Sequence, residues 1–223
     1  MTTKLSSIPT LATLYKTSKL TPPTPSTLSS SIYPFAHLIS IHCGDITTLT
    51  SIHSIVNAAN TTLLGGGGVD GAIHKAAGPQ LLAECRSLHG CPTGSAKTTK
   101  AYNLPAQYVI HTVGPIYKSN QKEESEKLLR SSYRSSLEEL KKLQGKSIAF
   151  PSISTGVYGY PFDTAAKAAL DEIGTWLETD GNYKQIERVV LCCFSQKDAD
   201  KYLELAPTVF PPQEMFDEYA ETA

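Results

Sequence analysis

Apolar residues along this chain fall into two patterns. Short continuous runs alternate with longer stretches in which apolar positions recur at helical spacing. Residues 38–43 read as a strand, and Ile55-Val56 opens a second. Residues 96–103 and 108–113 read as two strands joined by a turn at Leu104-Pro105, and 147–150 and 188–194 as two more. Between them lie helical stretches. One starts near Val69-Asp70 and runs through Ala77, where Gly78-Pro79 closes it and opens the next, 80–88, which Gly90 ends. The clearest spans 120–143, with Leu129, Tyr133, Leu137, Leu140 and Leu143 on one face. Its acids, Glu123, Glu124 and Glu126, come first, and Lys141 and Lys142 come last. That order suits the helix dipole and makes its charges a solvated face. Ala166, Ala169, Leu170, Ile173, Trp176 and Leu177 form the stripe of a further helix with Asp163 or Thr164 as its expected cap. Residues 197–205 read as a short last helix, and 8–15 as a short first one capped near Thr10. Strands alternating with helices predict a three-layer α/β domain.

Within this pattern, one connection is unusual. Between the strand at Ile55-Val56 and the helix at Val69 stand four consecutive glycines, Gly65, Gly66, Gly67 and Gly68. Glycine permits backbone conformations in which successive N–H groups converge on one point. A helix start directly afterwards adds unpaired donors and a positive dipole end. Strand, glycine loop and helix together make an anion site, usually for phosphate. A flexible linker is the plain alternative, but a linker would not be bounded by apolar runs on both sides. The loop is not a common nucleotide motif. Val69-Asp70 stand where the Lys-Ser/Thr of a P-loop would be, and the dinucleotide fingerprint lacks its acidic residue about 20 positions on. Asp70 suits a helix cap, yet it would repel a phosphate set directly against it. The stretch therefore reads as a site in two parts: amides for phosphates, and a polar pocket beside them holding Asn60 and Asp70.

A second loop of the same kind follows the strand at 147–150. Residues 151–161 combine small hydroxyls, Gly156 and Gly159, and two aromatic walls, Tyr158 and Tyr160. By itself it could be an ordinary strand-to-helix connection. Beside the first loop it becomes a second phosphate clamp. Asp45, at the end of the first strand, caps the next turn or accepts a hydrogen bond from a ligand amine such as the adenine amino group. Phe194 ends the last strand as core or as a stacking surface for a base. His111, flanked by strand residues, reads as structural rather than catalytic.

Composition narrows the partners. A net charge of −1 gives no general attraction to nucleic acid or to anionic membranes. Only Arg86, Arg130, Arg134 and Arg188 are arginines, and none lies in a glycine loop, so phosphates fall to backbone amides. The five cysteines, two of them adjacent, do not form a disulfide framework, which points to a reducing compartment. Cys85, His89 and Cys91 have loosely metal-like spacing but no second ligand pair, so no metal is expected. No apolar run approaches the ~20 residues of a membrane span, and no secretory signal is visible. Residues 1–36 are rich in Ser, Thr and Pro without acids, like a transit peptide, but lack Arg. Residues 207–223 read as an acidic, Pro-interrupted tail, surface-bound or disordered. The expected division is an extension (1–36), one domain (37–206) and a tail (207–223).

Taken together, Gly44-Asp-Ile-Thr47, Ile55-Val-Asn-Ala-Ala-Asn60, Gly65-Gly-Gly-Gly-Val-Asp-Gly-Ala-Ile-His74 and Pro151-Ser-Ile-Ser-Thr-Gly-Val-Tyr-Gly-Tyr160 resemble the macrodomain family, specifically its MacroD-type ADP-ribosyl hydrolase branch. The resemblance covers about residues 38–205 in the right order. It implies a macrodomain fold, a three-layer α/β/α sandwich with a mixed central sheet and an ADP-ribose cleft at its rim. It implies that Asp45 with Ile46 meets the adenine and that Phe194 stacks near it. Gly66, Gly67, Gly68 and Val69 would hold the diphosphate with Ser154, Thr155, Gly156, Val157 and Tyr158. Asn60 would bond the distal ribose, Tyr158 or Tyr160 would press that ribose into place, and Asp70 would orient or deprotonate a water. The implied catalytic set is Asn60, Asp70 and Tyr158, without metal or cofactor. The implied reaction removes mono-ADP-ribose from acidic side chains of proteins, or the acetyl group from O-acetyl-ADP-ribose. Two other functions share the fold: a reader that binds ADP-ribose without cleaving it, and a phosphatase acting on ADP-ribose 1″-phosphate. The expected partners are ADP-ribose, mono-ADP-ribosylated proteins and O-acetyl-ADP-ribose. Nucleic acid is expected only as an ADP-ribosylated end. The protein is expected to be an intracellular monomer, cytoplasmic or nuclear rather than mitochondrial.

Overall fold

A computed structural model describes residues 2–222, and the side chains of residues 2–219. In chain order the elements are β1 (Thr3–Lys4), α1 (Leu11–Lys16), β2 (Ile39–Cys43), β3 (Leu49–Thr50), β4 (Ser54–Ala58), α2 (Gly68–Ala77), α3 (Pro79–Ser87), β5 (Ala96–Lys100), β6 (Tyr108–Thr112), α4 (Lys122–Lys142), β7 (Ser147–Phe150), α5 (Phe162–Glu178), β8 (Arg188–Cys193), α6 (Gln196–Val209) and α7 (Gln213–Thr222). Six strands form one mixed sheet in the order β2-β8-β7-β4-β6-β5. All neighbours are parallel except β5, which runs antiparallel to β6.

Period-two alternation sorts the strand residues between two cores. In β8, Val189, Leu191 and Cys193 face one core while Val190 and Cys192 face the other. In β4 and β6, Val56 and Ile110 face the first core, and Ile55 and Val109 face the second. The first core is covered by Leu11 of α1, by Leu129, Tyr133, Leu137 and Leu140 of α4, and by the apolar stripes of α5 and α6. The second is closed by Ile73 and Ala77 of α2 with Leu81 and Cys85 of α3. The result is the three-layer α/β arrangement that the sequence pattern predicts.

Several boundaries differ from expectation. Strand β5 stops at Lys100 rather than 103, because Tyr102 turns the chain with φ of +54°. Helix α5 starts at Phe162 with Pro161 in the cap position, so neither Asp163 nor Thr164 caps it; Thr164 instead donates its hydroxyl back to the Pro161 carbonyl. The last predicted helix runs on to Val209, past Pro207, and α7 follows it. Phe210, expected in a tail, is fully buried. The reason lies far away in sequence. Tyr15 Oη and the N–H groups of Ser29 and Tyr33 donate to the carbonyls of Phe210, Thr208 and Val209. Leu11, Tyr33 and Phe35 pack into the same core as Val209 and Phe210. No helix among the described residues is long and apolar enough to cross a membrane.

Candidate functional site

The parallel strands β2, β8, β7, β4 and β6 all point their C-terminal ends to one rim of the sheet. The loops that leave this rim, with the first turn of α2, carry every candidate residue, and loops at such an edge are where α/β sheets bind ligands. β2 leads into Asp45, β8 into Phe194, β7 into the 151–161 loop and β4 into the glycine loop. Because β8, β7 and β4 are neighbours, Phe194 and the two loops follow one another along the rim.

The glycine loop is shaped from below by Asn60. Its Oδ1 accepts from the Thr62 N–H and hydroxyl, and its Nδ2 donates to the Gly65 carbonyl at 2.9 Å. Asn60 therefore holds the loop in its bend, a role the sequence did not reveal, and one amide N–H remains for a ligand. Gly65 and Gly68 take φ of +87° and +61°, which side chains resist. Gly67 caps α2 with no side-chain oxygen on the helix N–H groups, leaving the first turn's donors for an anion.

Asp70, on that first turn, is 3% exposed. Its Oδ1 accepts from Asn57 Nδ2 at 2.7 Å and lies 3.4 Å from His74 Nε2. A Cβ placed on Gly66 would sit 3.1 Å from Asp70 Oδ2, so the carboxylate lies directly beside the loop. Burial pushes its carboxyl above the usual range, while the Asn57 hydrogen bond and His74 pull it back.

On the second loop, Ser154 adopts φ of +67°, is buried, and has a hydroxyl with no partner among the described residues. Seven other non-glycine residues share this left-handed conformation, so what sets Ser154 apart is its buried, unpartnered hydroxyl. Val157 is fully exposed, and the Tyr117 N–H donates to the Tyr158 carbonyl to hold the loop. Tyr160 departs from expectation. It is buried against Tyr117, ring centroids 4.7 Å apart, under the loop, so Tyr158, half-buried, is the tyrosine available to a ligand. Ile46 is likewise buried, which leaves only its main chain for contact. Asp45 Oδ1 does cap the following turn, accepting from the Thr47 N–H and hydroxyl, with its side chain in solvent. Phe194 is 90% exposed, which removes the core reading.

Three features of the site escaped sequence reasoning. Asn57, quoted above only as part of the Ile55–Asn60 motif, is a fully buried amide in β4. Ile116 is 63% exposed beside the second loop, on a turn where a Cβ at Gly114 would overlap the Ser154 hydroxyl. The third is a cluster behind Asp70, where Cys85 meets His111 rather than His89 and Cys91. His111 is structural, as expected: burial pushes its pKa down to about 3. All five cysteines are free thiols.

The arrangement offers unpaired amides on two glycine-containing loops, an exposed aromatic at one end and a buried carboxylate at the other. Its residues fit a diphosphate flanked by an aromatic base and a sugar. The Macro domain family model matches residues 56–169. Macro domain-containing protein CT2219 of Chlorobaculum tepidum is 56% identical over 158 residues, 71% of this chain and 89% of that protein. ADP-ribose glycohydrolase MACROD1 of Bos taurus is 51% identical over 173 residues, 78% of this chain, and the match spans only 52% of that longer protein. The Trypanosoma brucei macrodomain solved in complex with ADP-ribose superposes with a TM-score of 0.74 at 37% identity, covering 91% of this chain and 76% of that one.

Proposed function

The chain belongs to the Macro domain family, and from that premise we propose that it is a hydrolase of ADP-ribosyl esters: it binds ADP-ribose at the sheet rim and releases it from the carboxyl groups of modified proteins or from acetate. The amides of Gly66, Gly67, Gly68 and Val69 face the diphosphate with those of the 154–158 loop. Asp45 and the exposed Phe194 take the adenine, and Tyr158 bears on the distal ribose. Asp70 stands where that ribose ends. A water held by Asp70 attacks the acyl carbon, and its proton passes to the carboxylate. The tetrahedral intermediate collapses and expels the ribose alkoxide, which takes a proton as free ADP-ribose leaves. Positioning and one polarised water suffice for this chemistry.

The observation that carries the proposal is Asp70 itself: a nearly buried carboxylate, raised in basicity by burial, touching the phosphate loop. A reader needs the loops but not that carboxylate. Likeness to MACROD1, named as an ADP-ribose glycohydrolase, supports the same reading.

The test is release of ADP-ribose from a protein modified on carboxylates. A general base contributes about 10²–10⁴ in rate. Asp70→Ala should lower turnover by about that factor while ADP-ribose binding changes far less, and Asp70→Asn should be nearly as slow. Near wild-type turnover in Asp70→Asn would make Asp70 a cap and shift the base to a substrate phosphate. Wild-type protein that binds ADP-ribose but releases none from such a substrate would be a reader.

A further inference from the structure

Behind Asp70, on the side away from the cleft, lies a row of buried polar groups that the proposed reaction does not use. Asn57 on β4 and His111 on β6 are register partners in adjacent parallel strands. Strand alternation turns both toward α2 and α3, the side on which Ile55 and Val109 also pack. Both are fully buried. Asn57 Nδ2 donates to Asp70 Oδ1 at 2.7 Å and lies 3.1 Å from His111 Nδ1. His111 Nε2 is 2.9 Å from Thr99 Oγ1 and 3.7 Å from Cys85 Sγ. Asn57 Oδ1 has no partner among the described residues.

We propose that Asn57 and His111 are positioning residues that orient the Asp70 side chain and hold it as a carboxylate, an inference that rests on the reading of Asp70 as the base.

The amide of Asn57 has two ends that are not interchangeable here. With its NH2 toward Asp70 and His111, each of its two hydrogens finds an acceptor. The reversed amide would set an oxygen against a carboxylate oxygen and against the lone pair of the ring. The observed orientation leaves the Oδ1 orphaned in the interior, which is unfavourable and is held only because both acceptors demand it. His111 sustains this demand because burial keeps its ring neutral at any pH near neutrality. A neutral ring that accepts at Nδ1 carries its hydrogen on Nε2, facing Thr99 Oγ1. Amide and tautomer are mutually consistent, and an amide that turns its NH2 to Asp70 favours ionised Asp70 over protonated Asp70. The titratable groups facing Asp70 are His74 on its own helix, Cys85 on α3 and, through Asn57, His111 on β6. The ligating atoms of His74, Cys85 and His111 lie within 4.8 Å of one another. Both His111 nitrogens have hydrogen-bond partners within the fold, Asn57 on one side and Thr99 on the other.

The test reads Asp70 directly. The carboxyl carbon of Asp70 is titrated by carbon-13 NMR in ligand-free protein, and the pH dependence of ester cleavage is measured in parallel. Asn57→Leu removes the donor at similar volume. The Asp70 midpoint should move to higher pH, and the acid limb of turnover should move with it. For each pH unit that the midpoint rises, turnover well below it should drop about tenfold, with little change in KM. His111→Leu should act in the same direction, whereas His111→Gln, which restores a neutral acceptor, should return the midpoint toward wild type. A merely structural role would lower stability without moving the midpoint. Unchanged midpoints in folded Asn57→Leu and His111→Leu proteins would overturn the proposal. Should Asn57→Leu fail to fold, the two His111 variants decide. A midpoint that moves without any movement of the turnover profile would uphold the positioning contact and remove Asp70 as the base.

Discussion

An added Cβ at Gly67 would meet nothing within 4 Å, and the backbone there is extended, with φ of −93°. The position is therefore free for the fold and critical only for what enters the loop. Gly67→Glu should abolish ADP-ribose binding by bringing bulk and charge to the diphosphate. The ligand-free melting temperature should stay within about 2 °C, since surface changes rarely exceed ±0.5 kcal/mol. A large drop in melting temperature would show that the loop carries stability. Phe194 makes the parallel case. As it is almost fully exposed, Phe194→Ala should leave stability unchanged and weaken ADP-ribose binding by about 1–3 kcal/mol, the range for a base stacked on an aromatic ring. Equal affinity of the variant and wild type in calorimetry would remove the stacking role. The sequence could not decide between these readings for Phe194, because an aromatic at a strand end is core or surface according to what covers it. For Tyr160 the outcome was the reverse: Tyr117, more than forty residues away in sequence, roofs it over.

Among the elements, α2 and the glycine loop behave as one unit. A Cβ on Gly71 would come within 2.6 Å of the Gly66 carbonyl oxygen. That is backbone against backbone, and no rotamer change relieves it. Gly71→Ala should thus push the loop off the helix, at a cost of about 1–3 kcal/mol for an overpacked contact. ADP-ribose affinity should fall at least tenfold, because the amides of Gly66 and Gly67 move together. Denaturant unfolding and calorimetry on one preparation check both halves, and unchanged values in both would show that the contact yields freely. Helices other than α7, which was read as a tail, were legible to within a few residues, since an apolar stripe at helical spacing requires a packed face; α4 is the plainest example. Ends were less legible. Pro161, not Asp163 or Thr164, stands at the cap of α5, and α6 runs on through a proline to an end held by Tyr15, Ser29 and Tyr33 from far back in the chain.

At the scale of the whole molecule, buried titratable groups set how stability depends on pH. Burial pushes His111 down to about 3, and also lowers His42 and His53. The unfolded chain then binds protons that the folded one refuses, so stability falls as pH drops below about 6.5. Asp70 and Asp171 are raised and work the other way above the ordinary carboxylate value. The His111 range, down to about 3, outlasts them. At the alkaline end, Cys85 near 11 and Cys192, Cys193 and Tyr133 near 12 keep their protons in the fold after the unfolded chain loses them. Stability there falls as pH rises above about 9. The melting temperature should peak between these limits and fall by about 5 °C or more from pH 7 to pH 4.5. A flat profile over that interval would mean that His111 takes up a proton within the fold. By itself the sequence determined the alternation of strands and helices, the two glycine loops and the carboxylate between them. Each of these is local, written in spacing and in residues that only certain backbones accept. Tertiary structure alone decided which polar groups face one another. Asn57 meets His111 because β4 and β6 are neighbours in register, and Leu11, Tyr33 and Phe35 share a core with Val209 and Phe210 from far along the chain. Strand order and packing partners are long-range choices, made by burying the most apolar surface with the fewest unpaired polar groups, and no stretch of sequence contains them.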